Sequence, residues 1–136
     1  MKLRKICVEN FKCIENSKEF DVDDITCLLG KNEAGKSAIL QALYKLNPIE
    51  PEKTNFLETE FPRRHVSTYR ERKDQEPANV LTTVWELSDD DINYVKDQLG
   101  AEVINNHKMI VTKGYGNIRN WEVSTTEKDL VKRYLV

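Results

Sequence analysis

Apolar positions in the first part of the chain predict two strands and then a third, more deeply buried one. Residues 3 to 11 are rich in β-formers and partly alternate between apolar and polar side chains, which predicts a first strand. Phe20 and Val22 predict a second, short strand. The run from Ile25 to Leu29 is apolar apart from Thr26, as expected for a strand buried on both faces of a sheet.

A helix is predicted directly after Ser37, and a long loop after that helix. Four apolar residues recur at helical spacing: Ile39, Leu40, Leu43 and Leu46. The Asn47-Pro48 pair ends the helix. Prolines and mixed charges then dominate residues 48 to 79, which predicts a long loop with at most short elements.

The second half of the chain predicts a strand, a capped helix and a hairpin. Residues 80 to 87 are β-rich, and Ser88 with Asp91 forms a capping-box pattern that predicts the start of a helix. Gly100 predicts its end, and three apolar residues should face inward: Ile92, Val95 and Leu99. Two β-rich runs flank the glycine-containing residues 113 to 117 and predict a hairpin: Met109 to Thr112 and Ile118 to Val123.

Composition limits the class of protein. The 136 residues suffice for one domain or part of one. No apolar run approaches the roughly 18 residues that span a bilayer, and Glu9 and Lys12 interrupt any signal-peptide core, so we expect a cytoplasmic protein without a membrane segment. A net charge of −2 argues against a dedicated nucleic-acid coat but leaves a local basic groove open.

Cysteine and histidine do not form a metal-binding pattern. The cysteines are three and widely spaced, without a C-x-x-C pair, and we expect them to be buried, reduced thiols: Cys7, Cys13 and Cys27. The histidines, His65 and His107, have no partner at zinc-ligand spacing.

One motif carries candidate chemistry. Residues 30 to 37 read Gly-Lys-Asn-Glu-Ala-Gly-Lys-Ser and match the Walker A pattern between a predicted buried strand and an amphipathic helix. Gly30 and Gly35 stand where the backbone needs freedom and phosphate must approach closely. The backbone N–H groups of residues 32 to 37 would form an anion nest. These residues are Asn32, Glu33, Ala34, Gly35, Lys36 and Ser37. Lys36 would reach the β- and γ-phosphates, and the Ser37 hydroxyl would coordinate Mg²⁺.

The catalytic set is incomplete. P-loop hydrolysis also needs an acid at the end of a later apolar strand and a group that orients water. Glu86 follows a strand-like run, but Thr82 and Thr83 make that run a poor candidate, and an ordinary half-buried strand explains it. We therefore name no catalytic residue in this chain.

The motifs resemble a known family. Three segments resemble the N-terminal part of ABC-type ATPase heads: the opening strand with Asn10-Phe11-Lys12, followed by a second short strand, then Leu29 to Ser37, and Leu40-Gln41-Ala42-Leu43. This group contains SMC, RecF and OLD-family ATPases and is often described as AAA-family. The resemblance is strong over residues 1 to 47 and looser over 48 to 123. It implies an α/β P-loop NTPase fold, the N-terminal half of a head, divided into strands with P-loop and helix (1–47), a long loop (48–79) and a β-rich lobe with one helix (80–136).

Residue by residue, the resemblance implies an ATP and Mg²⁺ site. Lys12 matches a basic residue near the nucleotide phosphates, although arginine is commoner there. The P-loop contacts fall on Asn32, Gly35, Lys36 and Ser37. Ala38 stands where many members carry a second hydroxyl, so it would offer phosphate only its backbone N–H.

The resemblance also implies partners. The glutamine loop, signature motif, Walker B acid and switch histidine of such heads are not found here, so we expect the N-terminal piece of a larger ATPase that is inactive by itself. Hydrolysis would need the C-terminal half and a second head in a head-to-head homodimer. Such machines couple closure to DNA in repair, and OLD-like members serve in phage defence.

Two other functions stay open: a small P-loop kinase or GTPase, and a non-catalytic nucleotide-sensing module. The chain lacks the Asn-Lys-x-Asp guanine motif, and a kinase-type site needs its metal-binding acid in the same chain. A basic cluster could contact DNA or be a solvated loop: Arg63, Arg64, Arg70, Arg72 and Lys73. Tyr115 could stack on a base or simply occupy the hairpin tip.

Overall fold

The structure is a computed structural model that describes residues 1–24, 26, 28, 35–72, 74, 76–99 and 104–125. Its strands are β1 (Lys2–Phe11), β2 (Ile14–Asn16), β3 (Phe20–Asp21), β4 (Asn79–Glu86), β5 (Ile104–Gly114) and β6 (Asn120–Thr125). Its α-helices are α1 (Lys36–Tyr44), α2 (Val66–Arg72) and α3 (Asp89–Leu99). Two short 3₁₀ helices, Pro51–Lys53 and Glu58–Glu60, lie in the connection between α1 and α2.

The strands form one sheet in which neighbours are far apart in sequence. The order is β2-β1-β4-β5-β6, with β3 pairing with β1. Val8 of β1 lies opposite Leu81 of β4, so the predicted segments 1–47 and 80–136 share this sheet. All pairings within the described ranges are antiparallel. The described part is thus a mixed α and β structure, and the P-loop NTPase fold stays a prediction.

Most elements lie where the sequence predicts them. The strands at residues 3–11 and 80–87, the hairpin and the helix after Ser37 are confirmed. The short strand predicted around Phe20 is β3. The described residues between 48 and 78 contain only short helices, and Asn79 begins β4. The buried strand predicted from Ile25 to Leu29 falls outside the described residues, apart from Thr26 and Leu28, which the structure places in no regular element.

The start of α3 confirms the predicted capping box. The Ser88 hydroxyl accepts a hydrogen bond from the Asp91 N–H at 3.2 Å, and the Asp91 carboxylate accepts one from the Ser88 N–H at 2.9 Å. Ile92 is buried as predicted and packs with Leu87 and Met109. Val95 is half-buried, and the Leu99 side chain and Gly100 lie outside the described residues.

The main core lies between the sheet and α1. Ile6 and Val8 alternate inward along β1, but the next buried residue is Phe11 rather than Asn10. Asn10 has a φ of 53°, a left-handed conformation that asparagine tolerates better than most residues, and this turn restores Phe11 to the core face. On α1, Ala38 and Ala42 are buried, whereas Leu40, one of the apolar residues that predicted the helix, is 59% exposed.

The prediction of buried thiols is only partly right. Cys7 is half-buried, and removal of its thiol from water raises its pKa. Cys13 is exposed and lies in the turn between β1 and β2. Both are free thiols, and Cys27 falls outside the described residues.

Candidate functional site

The entry into α1 requires glycine. Gly35 caps the helix with φ 84° and ψ 11°, a left-handed conformation that other residues adopt at an energetic cost. A Cβ added here would also lie 3.0 Å from Cγ1 of Ile14, which is buried. The glycine that the motif demands at this position is therefore required by both backbone conformation and space.

The first turn of α1 is electrostatically suited to an anion. The Ile39 N–H bonds to the Gly35 carbonyl at 3.0 Å, so the N–H groups of Ser37 and Ala38 precede the first intrahelical bond. No acidic side chain lies in this turn, and no side chain caps it. The positive end of the helix dipole is thus not offset by a carboxylate on the helix.

Ser37 and Ala38 face opposite ways. Ser37 is exposed, so its hydroxyl lies at the surface, where a metal ion and a ligand can approach. Ala38 is 5% exposed, and its methyl group packs in the main core. Only the backbone of Ala38 is available to a ligand, in agreement with the absence of a second hydroxyl in the motif.

The structure brings Lys12 to the same helix. Lys12 follows β1 with a left-handed φ of 53°, which is uncommon for a residue with a long side chain. Its N–H donates to the Glu60 carbonyl at 2.6 Å, and its ammonium group donates to the Gln41 side-chain oxygen on α1. Lys12 and Gln41 line a groove of about 430 Å³ with Leu40, Tyr44, Lys45 and Lys53.

The remaining motif residues lie outside the described residues. These are Gly30, Lys31, Asn32, Glu33 and Ala34. Their contacts with phosphate stay a prediction. Within the described ranges, Lys12, Gly35, Lys36, Ser37 and Ala38 all lie on α1 or beside it.

Glu86 is far from this helix. It ends β4 opposite Lys2, and it forms an ion pair with Arg4 near the start of β1. Phe11, which leads into Lys12, lies at the other end of β1, about 30 Å away at roughly 3.3 Å per residue. Glu86 therefore cannot share a metal ion with Ser37. It is exposed at the end of a strand whose central residues are largely buried.

Several contacts around Lys12 are not visible in the sequence pattern. Glu60 lies in the predicted loop, and its carboxylate accepts hydrogen bonds from Lys45 and from the Leu57 N–H, both at 3.0 Å. The Lys45 and Glu60 side chains are 15% and 17% exposed. This partly buried ion pair fixes the connection after α1 against the helix. The residue three positions before Glu60 is Leu57, which lacks the hydroxyl of a capping box, so no local sequence pattern indicates this contact.

Lys113 is a second residue that the sequence did not single out. It is 2% exposed, and its ammonium group donates to the carbonyls of Lys45 and Thr54 at 2.7 and 2.5 Å. Burial is the largest cause of its lowered pKa, and repulsion from the nearby cations Arg119 and Lys45 lowers the pKa further. Because Lys45 follows the last residue of α1, Lys113 places a positive charge at the negative end of the helix dipole.

The two features considered for DNA contact differ in outcome. Tyr115 is half-buried, its ring packs against Phe56, Phe61 and Tyr69, and its hydroxyl donates to the Asn10 carbonyl. Burial raises its pKa. The ring is therefore part of the core packing, and the base-stacking interpretation is wrong.

The basic cluster is mostly a solvated surface. Arg63, Arg64 and Arg72 are exposed, Arg70 pairs with Glu58, and Lys73 falls outside the described residues.

Among the described residues, no group of three histidine, cysteine, aspartate or glutamate side chains could hold a metal ion. Likewise, no helix in the described ranges is long and apolar enough to cross a membrane.

Comparison with known proteins identifies the family. A search of curated proteins finds no match. A profile of a protein family described as AAA ATPase domain matches residues 1–134, which includes α1, Lys12 and the whole described sheet. ATP binding, generally with Mg²⁺, is the activity associated with this family. The chain therefore belongs to the AAA ATPase domain family.

Proposed function

We propose that this chain binds ATP with Mg²⁺ through residues 30–38 and Lys12. The observation that carries the proposal is the left-handed Gly35 at the start of α1, directly before Lys36 and the exposed Ser37. A glycine-led helix start with a lysine and a hydroxyl in its first turn has the chemistry that a triphosphate requires. The family match supports the same ligand.

Each residue has a distinct role in this proposal. The Ser37 hydroxyl is a hard oxygen ligand, which suits Mg²⁺. Lys36 and Lys12 supply positive charge to the phosphates, and the N–H groups of the first turn donate hydrogen bonds to them. When bound, the metal ion neutralises charge on the β- and γ-phosphates.

Hydrolysis needs more than this cradle. The transition state requires an acid that holds the metal ion and a group that orients water. Glu86 lies at the far end of β1 and cannot supply the acid. We propose that these groups come from a C-terminal half and a second head, as in the ABC-type heads that the motif resembles, in a DNA-associated ATPase of the SMC, RecF or OLD-like kind that acts in repair or phage defence.

Replacement of Lys36 tests the binding site. Lys36→Ala should weaken Mg-ATP binding at least about tenfold, because a hydrogen bond to a charged group contributes roughly 1.5–3 kcal/mol. The matched control is Lys53→Ala, which removes the same charge from an exposed lysine that pairs with Glu50. Equilibrium titration with a fluorescent ATP analogue measures both. Equal affinities for the two variants would refute the proposed site.

Phosphate release tests the requirement for further groups. The purified chain should release phosphate from ATP no faster than the Lys36→Ala variant, which reports contaminating activity. Turnover that is robust in the wild type and lost in Lys36→Ala would show that the catalytic acid lies within these 136 residues, and it would refute the need for a second head.

A further inference from the structure

We propose that Gln41 is a positioning residue that holds the Lys12 ammonium group beside the first turn of α1, where it acts as a second cation for the phosphates. This inference rests on the proposed function. Gln41 is outside the Walker A motif, and the contact that places it in the site is its hydrogen bond with Lys12.

The helix geometry places Gln41 on the correct face. Ser37 and Gln41 are four residues apart, so they lie on one side of α1, about 6 Å apart along the axis. Both are exposed. Helical side chains lean toward the N-terminus, so the Gln41 amide covers the turn that contains Ser37. The Lys12 ammonium group is bonded to that amide, so it lies on the same side of α1 as Ser37.

The backbone of Lys12 is fixed independently. Its N–H donates to the Glu60 carbonyl, and Glu60 is itself held by its partly buried ion pair with Lys45. The left-handed φ of Lys12 sets the direction in which its side chain leaves the backbone. With the backbone fixed, the position of the ammonium group depends on the rotamer of the long side chain. Without a contact such as that with Gln41, the many rotamers of lysine would spread the charge over a large volume.

An amide suits this role better than a carboxylate would. The lysine ammonium group has three N–H donors, and the Gln41 oxygen uses one of them. The other two can donate to phosphate oxygens. Because the amide carries no charge, it orients Lys12 without offsetting the positive charge that attracts the nucleotide.

A double-mutant cycle tests the proposal. Gln41→Met keeps the length and the helix propensity of the side chain but removes the acceptor, and Lys12→Met removes the charge at similar length. We expect Gln41→Met to weaken ATP binding about fivefold in the wild type and less than about twofold in the Lys12→Met background. Lys96→Met, which removes an exposed charge on α3 outside this groove, is the matched control and should leave the affinity unchanged.

The ratio of ATP to ADP affinity distinguishes positioning from general loosening of the site. A well-placed cation favours the nucleotide with more negative charge, so Gln41→Met should lower the preference for ATP over ADP. A purely structural defect would weaken both nucleotides equally and would overturn the proposal, as would an equal effect of Gln41→Met in both backgrounds. Failure of the wild-type chain to bind ATP would instead overturn the proposed function, and the role of Gln41 with it.

Discussion

Substitution of Gly35 by alanine should destabilise the protein at the start of α1. A left-handed backbone costs an alanine roughly 1–2 kcal/mol, and the lower entropy of the unfolded alanine chain returns about 0.4–1 kcal/mol. The new Cβ would lie 3.0 Å from Cγ1 and 3.3 Å from Cδ1 of Ile14, which is 8% exposed and has little room to move. We therefore expect a net loss of about 1–2 kcal/mol.

The same substitution at Gly116 provides the control. A Cβ there would lie 3.5 Å from Pro77, an ordinary van der Waals distance, and the positive-φ glycine of the described chain is Gly35 rather than Gly116. Urea unfolding followed by circular dichroism should show Gly35→Ala with a midpoint lower by about 1 M, at an m-value of roughly 1–3 kcal/mol per M. Gly116→Ala should change it little. The reasoning is refuted if Gly35→Ala is as stable as Gly116→Ala.

Three further predictions concern the proposed metal ligand and two charged groups. Ser37→Ala should weaken ATP binding mainly in the presence of Mg²⁺, and an equal loss with a chelator would contradict a ligand role. Lys113→Met should destabilise the fold by about 1–3 kcal/mol at pH 7, because it leaves the carbonyls of Lys45 and Thr54 without their donor. Burial lowers the pKa of Lys113, so the folded protein releases this proton at a lower pH than the unfolded chain does. The stability of the wild type relative to Lys113→Met, measured as the free energy of urea unfolding, should therefore increase as the pH rises toward 10.5. Hydrogen bonds from the chain's N-terminus and then from Ser88 lower the pKa of Asp91 from 3.8 to about 2. The stabilisation from Asp91 should therefore be present above pH 3.8 and be lost toward pH 2. The test compares the melting temperatures of wild type and Asp91→Asn at pH 5 and at pH 2. An equal difference at both pH values would contradict the prediction.

Local rules predicted the secondary structure well. The Ser88 and Asp91 capping pattern depends on groups three residues apart, so it could be read directly from the sequence. The alternation of Ile6 and Val8 similarly depends on β geometry alone. The helical spacing of apolar residues on α1 did not show which face meets the sheet, and the small Ala38 and Ala42 occupy that face while Leu40 is exposed.

The candidate site was predictable only in its local part. The motif predicted the need for glycine at position 35, and the left-handed backbone there agrees with it. The roles of the motif residues in ligand binding stay predictions. The contact of Lys12 with Gln41 spans 29 residues, and that of Lys113 with Thr54 spans 59. Such contacts depend on how the sheet and the long connection pack, which no local pattern encodes.

Tyr115 shows the same limit for an aromatic residue. Glycine neighbours correctly predicted a turn, but the turn folds back so that the Tyr115 hydroxyl reaches Asn10, 105 residues earlier in the chain. Burial of this ring is a property of the tertiary fold. Its sequence neighbourhood alone suggested an exposed position.

The pairing of β1 with β4 has a consequence for the order of folding. Val8 meets Leu81, and Lys2 meets Glu86, so β1 gains this neighbour only after more than 70 residues have been synthesised. The chain loses the entropy of closing this long loop before the β1–β4 contacts can stabilise it, and this order of events slows folding. The turn that carries Lys12 therefore cannot acquire its final geometry while the chain consists of β1 and α1 alone. On the ribosome, the segment that we propose binds the nucleotide emerges early but should become competent late, when β4 has paired with β1.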